Sequence, residues 1–343
     1  MKKRYVAFGE LMLRLSPPGR EVLFQSPALS ATFGGAEANV AVSLANYGEE
    51  VSFVTALPKN AVADAAIKEL RGFGVDTRFI ARSGDRVGIY YAEPGACMRP
   101  SKVIYDRAHS SISEVSPLDF NWDEIFAGAH WFHVTGITPA IAAGTAAAAI
   151  EAVKAAKRLG LTVSCDLNYR KKLWKWGKTP QDVMSDIAGS VDVLIANEED
   201  CQKCLGIELD VDVTSGRLDS SKYELLADKV MKRFPNVSAL AVSLRESVSA
   251  DWNNWSVVMA TRDAFYVSKK YEIRDIVDRI GGGDAFGSGL IWGLNNLEGP
   301  QAAIEFAAAA SALKHTIYGD YNRVAVQDVM TLAGGDASGR VQR

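Results

Sequence analysis

Three consecutive glycines stand between two aspartates in Asp278-Arg279-Ile280-Gly281-Gly282-Gly283-Asp284, directly before an apolar stretch with helical spacing. Glycine lets the backbone turn tightly and bring its N–H groups against a ligand. At a helix start those N–H groups have no intrahelical acceptor and carry the positive end of the helix dipole. Together they make an anion site, most naturally one for phosphate, with Gly281, Gly282 and Gly283 as the charge-stabilising groups. Asp284 then stands where a base beside a transferring phosphoryl group would stand. Asp278 is placed to hold a substrate hydroxyl. Alone, the segment also reads as an ordinary glycine-rich turn with Asp284 as a helix cap.

Other chemistries find little in this chain. There is no G-x-x-x-x-G-K-[ST] loop, and no G-x-G-x-x-G follows a first strand, which excludes the usual nicotinamide fingerprint. His109, His130, His133 and His315 lack metal-ligand spacing. Cys201 and Cys204 form a lone C-x-x-C and read as helix-face residues, and Cys97 and Cys165 as plain thiols. The 343 residues carry a net charge of −3 with no basic tract, so nucleic acid is not an expected partner. No apolar run is long enough to span a bilayer, so no membrane is expected either. Residues 1–10 read as a first strand and not as a signal peptide. Four cysteines in a chain of this length fit reduced thiols, hence a cytoplasmic protein.

The groups at 278–284 need a scaffold, and the hydrophobic pattern supplies one. Apolar runs at 51–57, 130–135, 162–166, 191–196 and 240–244 read as buried strands. They alternate with helical patterns at 36–47, 62–73, 140–158, 223–234, 284–294 and 302–316. This is the alternation of an α/β fold with a mainly parallel sheet covered on both faces. The stretches 11–33 and 77–111 break the rhythm, since Val87–Tyr91 and Val103–Tyr105 alternate like half-buried strands. Trp252 and Trp255 are expected in a loop between strands. The chain is expected to form a single domain over 1–343.

A second glycine pair opens a small-residue helix at Gly34-Gly35-Ala36-Glu37-Ala38-Asn39. In this order and at this distance, the two segments resemble the signatures of the ribokinase-like (PfkB) sugar kinases. The second signature usually reads D-T-x-G-A-G-D; here Gly282 replaces the alanine and keeps the backbone permissive. The resemblance covers Gly9 to about Asp320. It implies a three-layer α/β/α sandwich with a small β lid from 11–33 and 77–111, the lid supplying the interface of a homodimer or higher homo-oligomer. It further implies ATP and Mg²⁺ as cofactors, and leaves a monovalent cation beside the anion hole open. Asp284 would be the base. Asn168, Asn197, Ser243, Arg245, Gly281 and Gly283 would meet the nucleotide. The family pattern N-x-x-E is present as Asn197-Glu198-Glu199-Asp200, with Asp200 one methylene shorter than the usual glutamate. Asp200 would reach the metal through water, with Glu198 or Glu199 as substitutes.

Among such kinases, the segments around Arg14, Arg107, Arg170 and Asp320 are similar to those of 2-keto-3-deoxygluconate kinases. Gly34, Gly35, Asn39, Tyr90, Tyr105, Arg107, Arg170, Asp278 and Asp320 would then line the sugar-acid site. Arginine is the natural partner of a carboxylate, and an unpaired Arg107 or Arg170 would have little purpose in a neutral-sugar site. The implied reaction is ATP-dependent phosphorylation of the 6-hydroxyl of 2-keto-3-deoxygluconate. The alternatives are a fructokinase or another sugar or nucleoside kinase of the family. A non-catalytic sugar-binding regulator is the alternative of a different class.

Overall fold

The computed structural model describes residues 2–197, 199–208 and 220–339. Glu198, one of the acids considered beside Asp200, lies outside them. The strands are β1 (Arg4–Phe8), β2 (Met12–Ser16), β3 (Ser30–Gly34), β4 (Glu50–Leu57), β5 (Ile80–Arg82), β6 (Gly88–Glu93) and β7 (Lys102–Asp106). There follow β8 (Trp131–Thr135), β9 (Thr162–Asp166), β10 (Val193–Ala196), β11 (Ala239–Ser249), β12 (Trp252–Thr261), β13 (Phe265–Val267) and β14 (Tyr271–Ile273).

The large sheet has the order β13-β12-β11-β10-β9-β8-β1-β4-β5, with β14 also paired to β12. From β11 to β5 every neighbouring pair is parallel. The hairpin β11–β12 and the short strands beside it are antiparallel and close one edge. Successive side chains of a strand point to opposite faces. Tyr5 and Ala7 accordingly enter one core and Val6 and Phe8 the other; Val193 and Ile195 part from Leu194 and Ala196 in the same way. Both faces are buried, which is why these strands read as unbroken apolar runs. Helices Ala143–Arg158, Pro180–Ala188 and Ser220–Arg233 cover one face. Helices Ala36–Asn46, Ala61–Gly72, Gly282–Asn296 and Gly299–Lys314 cover the other.

Three expectations are corrected. The helix expected over 140–158 is two helices, Ile137–Ile141 and Ala143–Arg158. Ala142 between them is extended, and Thr145 restarts the chain by bonding both the N–H and the carbonyl of Ala142. Trp252 and Trp255 lie within β12, where Trp255 pairs with Arg245, because the apolar run of β11 continues into a hairpin. Of the stretch 77–111, Ile80–Arg82 joins the large sheet beside β4. The remainder contributes β6 and β7 to a separate four-stranded sheet of order β3-β2-β6-β7. One face of that small sheet presents Met12, Arg14, Tyr90 and Ala92, all buried.

Helix Gly282–Asn296 packs against Gly299–Lys314 through small residues. A Cβ on Gly293 would lie 2.8 Å from Ala303 Cα, and one on Gly289 2.9 Å from Ala307 Cα. Close packing here fixes the helix whose first turn carries Asp284. Overfilling such a contact costs about 1–3 kcal/mol. Gly293→Val is expected to lower the unfolding free energy by about that amount, read from urea midpoints at unchanged slope.

Candidate active site

A cleft of about 820 Å³ opens at the carboxyl ends of the parallel strands, where open α/β sheets place their ligands. The small sheet contributes Met12, Tyr90 and Tyr105 to its wall. The centre is the start of helix Gly282–Asn296. Gly281 adopts a left-handed conformation (φ 84°), and a Cβ there would fall 2.1 Å from the Asp320 carbonyl oxygen. No other residue type fits without moving that loop. The N–H groups of Gly283 and Asp284 have no protein acceptor among the described residues, as expected in a first helical turn. A Cβ on Gly282, where the related signature has alanine, would sit 2.7 Å from His315 Cε1. In this chain the departure to glycine is therefore tied to the histidine beside it.

Asp284 is half-buried on the cleft wall. Asn39 Nδ2 donates to its Oδ2 at 2.6 Å. Asn39 sits one turn into helix Ala36–Asn46 and accepts from the Gly35 N–H, so the second glycine pair positions the partner of the candidate base. Loss of water pushes the Asp284 carboxyl up to about 6; the Asn39 hydrogen bond opposes this, and Asp320 adds to it.

Beyond Asp284 lies a buried ion network. Arg14, on the small sheet, binds Asp278 Oδ2 at 2.7 Å and Asp320 Oδ1 at 2.9 Å, and its Nε donates to Ser16 Oγ. Burial alone would lower the Arg14 guanidinium; Asp278 and Asp320 outweigh it and hold the group charged. The Tyr90 hydroxyl donates to Asp320 Oδ2 at 2.5 Å. Asp278 also accepts from the N–H groups of Ile280 and Gly319, which clamps the two loops that flank Gly281. Lys314, wholly buried, donates to the Ile317 carbonyl at 3.0 Å, and burial lowers its ammonium.

The other end of the cleft is built on β9, β10 and β11. Asp166 ends β9; one oxygen accepts from the Asn168 N–H, and the other has no partner among the described residues. Burial, then the charges of Asp200 and Asp284, raise the Asp166 carboxyl well above the usual range. Asn168 holds a positive φ of 39°, a conformation that asparagine tolerates better than most residues. Arg170 is exposed in the cleft and has no carboxylate within ion-pair distance among the described residues. His315 Nδ1 donates to the Ser311 carbonyl at 2.7 Å, which leaves Nε2 as an acceptor. Burial lowers this histidine to about 4, so it is neutral.

Most of the expected residues meet in this one cleft. Gly35, Asn39, Tyr90, Tyr105 and Asp320 line it with Gly281, Gly282, Gly283 and Asp284. Asn168, Arg170, Asn197, Asp200, Ser243 and Arg245 line its other end, and Glu199 stands nearby. Three expected residues are placed off the wall. Asp278 spends its carboxylate on Arg14 and two N–H groups. Gly34 backs onto the Asp320 carboxylate. Arg107 is ion-paired with Glu10, which also accepts from Ser110 Oγ at 2.7 Å, and stacks over Tyr105. Arg107 is therefore not an unpaired cation, and it cannot by itself argue for an acidic ligand. Asp200 likewise has both oxygens engaged, by the N–H groups of Tyr169 and Asn197, so it shapes two loops. Sequence reasoning passed over Asp166, Arg14, Arg279 and His315. The D-x-N-x-R spacing after a strand was the available signal for Asp166. Arg279 stands where the related signature has threonine and ties the loop to the Ala250 carbonyl at 2.7 Å.

Comparison with known proteins gives a consistent outcome. A family model described as pfkB family carbohydrate kinase matches residues 2–325. The chain is 33% identical over 338 residues to 2-dehydro-3-deoxygalactonokinase of Haloferax volcanii, covering 98% of this chain and 99% of that one. It is 25% identical over 329 residues to 2-dehydro-3-deoxygluconokinase of Bacillus subtilis, covering 93% and 92%. The crystal structure of 2-dehydro-3-deoxygluconokinase from Thermotoga maritima superposes with a TM-score of 0.91 at 48% identity, over 97% of this chain and 100% of that one.

The left-handed backbone and the Asp320 carbonyl make Gly281 the least replaceable glycine of the loop, whereas a Cβ on Gly283 meets nothing within 4 Å. Gly281→Ala is expected to destabilise by more than about 1 kcal/mol, and Gly283→Ala by less than half of that. Thermal denaturation of the pair checks this.

Proposed function

Since the chain belongs to the pfkB family of carbohydrate kinases, we propose that it transfers the γ-phosphoryl group of ATP to the 6-hydroxyl of 2-keto-3-deoxygluconate. The observation that carries the reading is Asp284, held by Asn39 at the mouth of the glycine anion site. In-line transfer to an alcohol needs a positioned hydroxyl, a proton acceptor and stabilisation of the phosphoryl charge. Asp284 takes the hydroxyl proton, and the N–H groups of Gly283 and Asp284 face the transferring oxygens. Tyr90, Tyr105 and Asp320 are placed to hold the sugar under the small sheet. Arg170, which donates one N–H to the Tyr169 carbonyl at 2.9 Å and has no carboxylate at ion-pair distance among the described residues, offers the rest of its guanidinium to anionic groups in the cleft. The acid substrate is supported by the names of the relatives, which are kinases of 2-dehydro-3-deoxy sugar acids, and these include both the gluco and the galacto form.

Mg²⁺ binds through one or two carboxylates together with substrate phosphates. The residues fit. Asp166 lines the cleft with one oxygen unpartnered among the described residues, and its raised protonation is what a nearby divalent cation would reverse. Asp166 is a better protein ligand here than Asp200, which stands behind it as a positioning group. The metal would neutralise phosphate charge. Asn168, Asn197, Ser243 and Arg245 are assigned to the nucleotide, and the neutral His315 gives its end of the cleft one acceptor.

The small sheet also carries the reading of a dimer. Leu15, Tyr91 and Ile104 are neighbours across three strands on its outer face, and Phe24 packs on Tyr91. Ile104 is 53% and Phe24 70% exposed. Such a patch marks an interface. Sedimentation is expected to show a dimer, and Ile104→Asp a shift toward monomer.

The deciding assay compares 2-keto-3-deoxygluconate with its galacto epimer, fructose and ribose, with ATP and Mg²⁺. Turnover of a keto-acid is expected, with kcat lowered about 10²–10⁴-fold in Asp284→Asn. Turnover of a neutral sugar alone would keep the mechanism and reject the acid. The base must be ionised, and burial raises its carboxyl to about 6. Hence kcat/KM should rise with pH through about 6 and level off above it, and the remaining activity of Asp284→Asn should lack this limb.

A further inference from the structure

Two carboxylates, Asp284 and Asp320, line the acceptor end of the cleft and a third, Asp278, is bound just behind them through Arg14; an acidic acceptor brings another negative charge to this end. Like charges repel strongly where water is scarce. The cations nearby are mostly committed. Arg107 is bound to Glu10, and Lys314 sits behind the anion loop on the Ile317 carbonyl. Arg14 is different: one guanidinium bonds two of the three acids, at 2.7 and 2.9 Å, with all three side chains at most 6% exposed. Ser16 fixes its third edge.

Resting on the reading that the acceptor is a sugar acid, we infer that Arg14 is a positioning residue that sets acceptor specificity. Its guanidinium neutralises Asp278 and Asp320 together and so makes the pocket tolerant of an anionic substrate. The arrangement also has a direction. Arg14 and Tyr90 belong to the small sheet, whereas Asp278 and Asp320 belong to the loops flanking Gly281. The acids are neutralised only where the small sheet lies against those loops. Arg14 need not touch the sugar; it acts through the two aspartates.

The test uses the full chain and two acceptors of one shape, 2-keto-3-deoxygluconate and its methyl ester, which lacks the charge. Arg14→Met is expected to raise KM for the acid about tenfold or more relative to the ester. Arg14→Lys should restore part of the difference. Arg14→Met combined with Asp320→Asn, which removes one acid along with the cation, should bring the acid-to-ester KM ratio back toward the wild-type value, since the lost Asp320 contact weighs equally on both acceptors. An equal rise for both acceptors, or no recovery in the double variant, overturns the inference and leaves Arg14 a scaffold residue. Should Arg14→Met fail to fold, Asp320→Asn alone decides. A lower KM for the acid relative to the ester supports the inference, and an unchanged ratio overturns it. Wild-type protein that does not phosphorylate the acid rejects the substrate reading and the role of Arg14 with it. Wild-type turnover with unchanged ratios rejects the role of Arg14 alone.

Discussion

Two loops meet at the head of helix Gly282–Asn296 with no room for a side chain between them. The contact of the Gly281 backbone with the Asp320 carbonyl fixes where that helix begins, and so where its free N–H groups and Asp284 point. Asp278 reinforces the contact by accepting N–H groups from both loops at once. The large parallel sheet brings these loops to one edge, and the tight helix pair behind them prevents the first turn from drifting. The exposed start of this helix is thus a property of backbone packing, and side chains are added around it.

Those side chains raise a second problem, that of burying charge. An isolated charge away from water is expensive, and a broken pair is worse than an apolar substitute. The molecule answers with pairing in depth. Glu10 has Arg107 and Ser110, Asp278 and Asp320 share Arg14, and Glu37 accepts from the N–H and hydroxyl of Thr135 and the hydroxyl of Thr138. The less compensated acids, Asp166 and Asp284, are those that open onto the cleft. Burial raises both carboxyls, as it also raises Glu37 and Asp320; what sets Asp166 and Asp284 apart is that each has one oxygen without a hydrogen-bond partner among the described residues.

The sequence was readable where a local rule decides the outcome. Apolar runs located the parallel strands because both sheet faces are covered, and the glycines before an apolar helix located a close backbone approach because Gly281 holds a left-handed conformation against the Asp320 carbonyl. The failures share a cause in distance along the chain. Nothing near Arg107 announces Glu10, 97 residues away, and nothing near Arg14 announces Asp320, 306 residues away. An arginine that looks available in the sequence is spent in the fold. Short pieces failed for another reason. Ile80–Arg82 is too brief to carry a period, and its place beside β4 is decided by the sheet edge. Trp252 and Trp255 were misplaced because a polar Asp-Trp-Asn-Asn-Trp string looks like a loop until β11 pairs with it.

Gly282 and His315 occupy one volume between them. The order in which these positions can change is therefore constrained. An alanine introduced at 282 while the imidazole remains must displace a ring that is anchored to Ser311 and packed near Trp255. A smaller residue at 315 first would instead open a hollow that a methyl group could later fill. The two positions constrain each other: in this fold an alanine at 282 requires either a smaller residue at 315 or a shifted imidazole.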